Sequence, residues 1–63
     1  MKIRCRYQYW SSEGIKWTNW FYQPTGEAKT LEDFETLLKK YRKDIENIDK
    51  STKLKHEYEI VNE

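Results

Sequence analysis

Residues 17–22 read Trp-Thr-Asn-Trp-Phe-Tyr. In an extended strand successive side chains point to opposite faces, so this segment puts large rings on both faces of a sheet. One helix can cover only one face of a sheet this small. The rings left over, Trp20 and Tyr22, must lie exposed or meet a partner. That single constraint favours a binding module over a self-contained enzyme.

The rest of the chain supplies a sheet and one helix. Residues 2–10 alternate, with Ile3, Cys5, Tyr7 and Tyr9 on one side and Lys2, Arg4, Arg6 and Gln8 on the other. This is the period-two signature of a half-buried strand. A loop at Ser12–Gly14 follows, in which Gly14 can adopt the positive φ that closes a three-residue hairpin loop. Residues 15–22 form a second strand, ended by Pro24 and Gly26 in turn positions. A helix starts at Thr30, with Asp33 placed three residues later for a capping box. Leu31, Phe34, Leu37, Leu38, Tyr41 and Ile45 recur at helical spacing as one apolar stripe. Asn47 is expected to end the helix in a left-handed conformation, with Ile48 folding back on the stripe. Residues 54–61 alternate again, with Leu54, His56, Tyr58 and Ile60 on one side and Lys55, Glu57 and Glu59 on the other. All 63 residues fall in a single domain.

Charge sets the strand order. With the third strand antiparallel to the first, one register places Arg4 against Glu59, Arg6 against Glu57 and Gln8 against Lys55. The same register sets Ile3 against Ile60 on the core face. Cross-strand opposite charges contribute roughly 0.2–1 kcal/mol each, and agreement of both faces on one register is the stronger argument. The expected fold is α+β: ββαβ, a three-stranded antiparallel sheet in the order 2-1-3 with one helix on one face. In the second strand the Ser12–Gly14 loop sets Tyr9 against Trp17, Tyr7 against Asn19 and Cys5 against Phe21. A regular strand then carries Asn19 on the core face. The alternative is a bulge near Thr18 that turns Trp20 and Tyr22 inward and Phe21 outward.

Composition narrows the function. The chain is 37% hydrophobic and 37% charged, yet it holds three Trp and five Tyr, more ring area than a disordered chain of this charge usually has. Its net charge of +1 gives no overall basic field to attract nucleic acid or anionic membrane. No apolar run approaches the ~20 residues of a membrane span. Met1 to Arg6 has the charges of a secretory leader without its apolar core. A single cysteine, Cys5, excludes an intramolecular disulfide and fits a reducing cytoplasm.

Catalytic groups are sparse. His56 is the one histidine, and it lies diagonally from Cys5 on the core face, where a thiol is a small apolar residue and not an activated nucleophile. Two such ligands fall short of the three or four a zinc site needs. Glu57 and Glu59 are accounted for by Arg4 and Arg6. Gly14 and Gly26 are too far apart for a phosphate loop. No catalytic residue, metal or cofactor is expected. The run Lys39, Lys40, Arg42 and Lys43 reads as a solvated helix face.

The remaining surface is the uncovered sheet face, with Arg4, Arg6, Trp10, Lys16, Trp20 and Tyr22 as partner-binding residues. The second strand beside it is an edge with one charge, open to pairing with a partner protein or with a second copy as a homodimer. Aromatic rings interleaved with Arg on an open sheet also suit a weak single-stranded nucleic-acid binder, although Glu57 and Glu59 would cancel much of the field that phosphate contacts need. The ββαβ order and small size resemble several unrelated small proteins of phages and mobile elements that bind and inhibit host proteins. This resemblance is one of topology alone, and what it implies is a protein-binding role.

Overall fold

The computed structural model describes residues 1–62. Five elements follow one another: β1 (Lys2–Ser11), β2 (Gly14–Trp17), β3 (Phe21–Gln23), α1 (Leu31–Thr52) and β4 (His56–Val61). The fold is α+β, with an antiparallel sheet and one helix packed on it. The expected second strand is present as two pieces, β2 and β3. Both lie along the same side of β1, and β4 pairs with its other side.

β1 and β4 pair in the expected register, with Ile3 opposite Ile60, Arg4 opposite Glu59 and Arg6 opposite Glu57. The pairing reaches beyond β4, where Gln8 N–H donates to the Lys55 carbonyl at 2.9 Å and Lys55 N–H donates to Gln8 Oε1 at 2.9 Å.

The other side of β1 carries two registers. β3 keeps the expected one, with Cys5 opposite Phe21 and Arg4 opposite Tyr22. β2 is displaced by one residue: Gln8, not Tyr9, lies opposite Trp17, and Tyr9 lies opposite Lys16. The cause is the hairpin loop. Gly14, at φ 110°, pairs directly with Ser11, so only Ser12 and Glu13 remain in the turn. The Ser11 hydroxyl holds this tight loop by donating to the Gly14 carbonyl and accepting from Glu13 N–H. A slip of one residue exchanges the faces of every side chain in a strand.

Residues 18–20 absorb the mismatch as a bulge. Thr18 N–H donates to the Tyr7 carbonyl at 2.9 Å, and Tyr7 N–H donates to Thr18 Oγ1 at 3.1 Å. The hydroxyl thus replaces the carbonyl that a regular ladder would offer. The bulge turns the beginning of the strand and not its end, so Phe21 stays on the helix side while Trp17 moves to the open face. Asn19 is exposed.

The capping box forms as expected. Thr30 Oγ1 accepts from Asp33 N–H, and Asp33 Oδ2 accepts from the N–H groups of Thr30 and Lys29, each at 3.1 Å. The helix does not stop at Asn47. It runs on to Thr52, and Lys53, at φ 63°, is the left-handed cap whose N–H donates to the Asp49 carbonyl. The added turn brings Asp49 Oδ1 to 2.5 Å from His56 Nδ1, a tertiary contact that stands in for the missing Gly or Pro stop signal. β4 starts at His56 instead of residue 54.

The core is small. Ile3, Cys5 and Phe34 are the buried apolar residues among those described. Leu38, on the same helical stripe, is only half-buried. Around the core, Tyr41 stacks on Tyr58 with centroids 5.5 Å apart and planes at 2°, and its hydroxyl donates to the Pro24 carbonyl at 2.5 Å. α1 packs on β4 and β1 but not on β2 or β3. On the hairpin side of the sheet the helix-side rings of Tyr7, Tyr9 and Phe21 therefore stay partly exposed.

Candidate functional site

Alternation along β1 sends Lys2, Arg4, Arg6, Gln8 and Trp10 away from the helix. On this open face each cation meets a ring. Lys2 Nζ lies 4.7 Å from the centroid of Tyr22, and the Arg4 guanidinium 4.4 Å from that of Trp20. Arg6 lies over both Trp17, at 4.4 Å, and Trp20, at 4.9 Å. The carboxylates of β4 close the ladder from the far side: Glu59 binds Arg4, and Glu57 accepts from Arg6 Nη2 at 2.9 Å. Arg6 Nε sits buried between its neighbours without a hydrogen-bond partner. Each partly exposed ion pair is worth about 0.2–1 kcal/mol, and each cation–π contact about as much. Their larger effect is to fix long side chains in one arrangement.

Of the residues read from the sequence as partner-binding, Arg4, Arg6, Trp10, Trp20 and Tyr22 share this face. Lys16 does not. Its pairing with Tyr9 places it on the helix side, where it makes an exposed ion pair with Glu13 at 3.2 Å. The same one-residue slip brings two further residues onto the open face. Trp17 becomes part of the ladder, and Ile15 stands opposite Trp10 at its end. Ser11 next to Ser12 was the signal in the sequence, since a hydroxyl before a two-residue turn can hold it closed.

The ladder is saturated at its middle and open at its tip. Trp20 is half-buried beneath the two guanidinium groups. Trp10 is 69% exposed, the most exposed of the large apolar side chains, and Ile15 beside it is 45% exposed. The backbone also has a free edge here. Thr18 N–H and the Tyr9–Lys16 and Ser11–Gly14 pairs face β1, so the N–H and C=O groups of Ile15 and Trp17 face outward.

The polar groups nearer the core are engaged in structure. Burial pushes the Cys5 thiol above its usual pKa, against a smaller opposing effect of its hydrogen bond with Tyr58. Burial, and then that same hydrogen bond, push Tyr58 up to about 12. His56 stacks on Tyr7 at 5.4 Å while its Nδ1 faces Asp49. A thiol held protonated is a poor nucleophile, and His56 is turned to the helix end and not to Cys5. On the outer edge of β4, Arg42 Nη2 donates to the Tyr58 carbonyl at 3.1 Å and so occupies an edge acceptor. No helix among the described residues is long and apolar enough to cross a membrane.

No family model, curated protein or solved structure matches the chain.

Proposed function

We propose that this chain is a small, non-enzymatic protein-interaction module, and that its contact surface is the hairpin end of the open sheet face together with the free edge of β2. The observation that carries this reading is Trp10, 69% exposed beside Ile15 at the end of a fixed ladder of cations and rings. Interface energy concentrates in a few Trp, Tyr and Arg side chains, and prior ordering of the residues around them lowers the entropic cost of association. The outward backbone groups of Ile15 and Trp17 can add a partner strand beside the anchor. The ββαβ order resembles that of several small host-binding proteins of phages and mobile elements, which favours the same role. A cytoplasmic setting belongs to this reading, supported by a single free, buried thiol.

Single-stranded nucleic acid would need flat, free rings and unpaired guanidinium groups. Here the rings of Trp17 and Trp20 are covered by Arg6 and Arg4, and both arginines are paired with glutamates.

Immobilised wild-type chain and a Trp10→Lys variant, incubated with host lysate, test the proposal. A protein retained by wild type at high salt and lost with Trp10→Lys, while circular dichroism shows an unchanged fold, is the expected result. Recovery of nucleic acid that elutes steeply with salt would replace this reading with the nucleic-acid one.

A further inference from the structure

The outer edge of β2 presents a short, patterned template. Ile15 and Trp17 send their N–H and C=O groups outward, while Lys16 between them faces Tyr9 of β1. A strand laid along this edge would alternate its side chains as β2 does. Beside Ile15 and Trp17 those side chains lie on the open face, in the cross-strand rows that continue to Trp10 and Gln8. Ile15 and Trp10 are both exposed there. Beside Lys16 the incoming side chain lies on the helix side, next to an exposed ammonium group.

Glu13 shows what this ammonium takes. Its carboxylate, on the hairpin loop, lies 3.2 Å from Lys16 Nζ. Glu13 is the more exposed of the two side chains, at 76% against 45%. An exposed pair of this kind is weak, so a carboxylate brought by a partner can take its place. The template is also short. β2 has four residues, and past Trp17 the bulge intervenes before β3 resumes in another register.

We infer that the partner strand carries one acidic residue between two apolar ones, with the acid on Lys16 and the apolar pair on Ile15 and Trp17. This rests on the reading of the hairpin end as a protein-contact surface, and adds to it the pattern of the segment bound. Three features select that occupant. The outward backbone groups select an extended chain. Lys16 selects a carboxylate, because opposite charges side by side on neighbouring strands favour pairing and like charges oppose it. Ile15, with Trp10 behind it, selects apolar side chains on the other face. Glu13 is then a built-in competitor, which holds Lys16 in the free chain and gives it up in the complex.

Synthetic peptides test the inference, by amide NMR titration of the whole chain. The probes are capped Thr-Thr-Val-Glu-Val-Thr-Thr and the same peptide with Lys in place of Glu. The Glu peptide should shift the amide signals of Ile15 and Trp17 and bind at least about fivefold more tightly than the Lys peptide. Lys16→Glu should reverse that order, with circular dichroism to show that the variant is folded. Glu13→Gln, which frees Lys16, should tighten binding of the Glu peptide. Equal binding of the two peptides overturns the inference, as does an order that Lys16→Glu leaves unchanged. So do shifts centred on β4, or no binding of either peptide at millimolar concentration. Lysate capture decides the underlying reading separately. A protein lost with Trp10→Lys but retained by Lys16→Glu keeps Trp10 as the anchor and removes the acidic strand, whereas no Trp10-dependent capture removes the surface itself.

Discussion

Thr18 decides how the sheet is built. Its hydroxyl accepts the Tyr7 N–H that would otherwise face a gap in the ladder, which lets two registers offset by one residue share the same neighbour strand. Thr18→Val keeps the branched shape that strands favour and removes only the acceptor. The expected cost is about 1 kcal/mol, the net worth of one hydrogen bond, or a melting temperature lower by roughly 4–8 °C in a domain of this size. An unchanged melting temperature would mean that water or backbone closes the bulge without the hydroxyl. Residue identities alone pointed to irregularity here, since a regular strand would have buried Asn19. They had such a bulge turn the end of the strand, whereas it is the beginning, β2, that turns. That was settled at Ser11, whose hydroxyl holds a turn one residue shorter than the glycine position suggested.

Among the elements, β1, β4 and the start of α1 were legible because independent signals agreed. Arg4 with Glu59 and Ile3 with Ile60 name the same register from opposite faces, and Thr30 and Asp33 satisfy each other's backbone as their spacing implies. The far end of α1 was not legible. Nothing local stops the chain at Asn47, and the contact that gives the next turn its purpose, Asp49 with His56, joins residues from two elements. The capping box makes the helix sensitive to acid. Hydrogen bonds from the backbone of Lys29 and then Thr30 hold the Asp33 carboxyl below its ordinary value of 3.8. A group depressed in the folded state contributes stability that is complete above its unfolded pKa and disappears as pH falls through the folded one. Thermal melts should therefore show wild type losing stability as pH drops below about 4, and Asp33→Asn should flatten that loss. Parallel acid limbs for the two proteins would mean that the carboxylate contributes nothing to the cap.

At the scale of the whole molecule the chain is elongated. Its radius of gyration is 13.0 Å, with extents of 41 × 24 × 14 Å, where a compact domain of this length has a radius of about 10.6 Å. A sequence pattern can say which side of a helix is apolar but not where along a sheet the helix will sit. α1 packs on one face of the sheet as expected, but over β4 and β1, and Leu38 of its apolar stripe is only half-buried. Phe34 carries the burial in its place. Phe34→Ala should cost about 3–5 kcal/mol, close to the whole stability available to roughly 60 residues, so the variant should be largely unfolded by circular dichroism at room temperature. A cooperative melt near that of wild type would remove Phe34 from the centre of the fold.

The bulge at residues 18–20 has one more effect. Six consecutive residues, 17–22, with four large rings and one Thr, free of charge and of proline, have the makeup of a fibre-forming segment if they lie flat along a sheet margin. Broken between β2 and β3, that margin offers an incoming strand four residues and then three, with a change of register between them. A sheet cannot grow in step along so interrupted a template. The kink that allows this chain its aromatic surfaces also denies an incoming chain a continuous edge on which to stack.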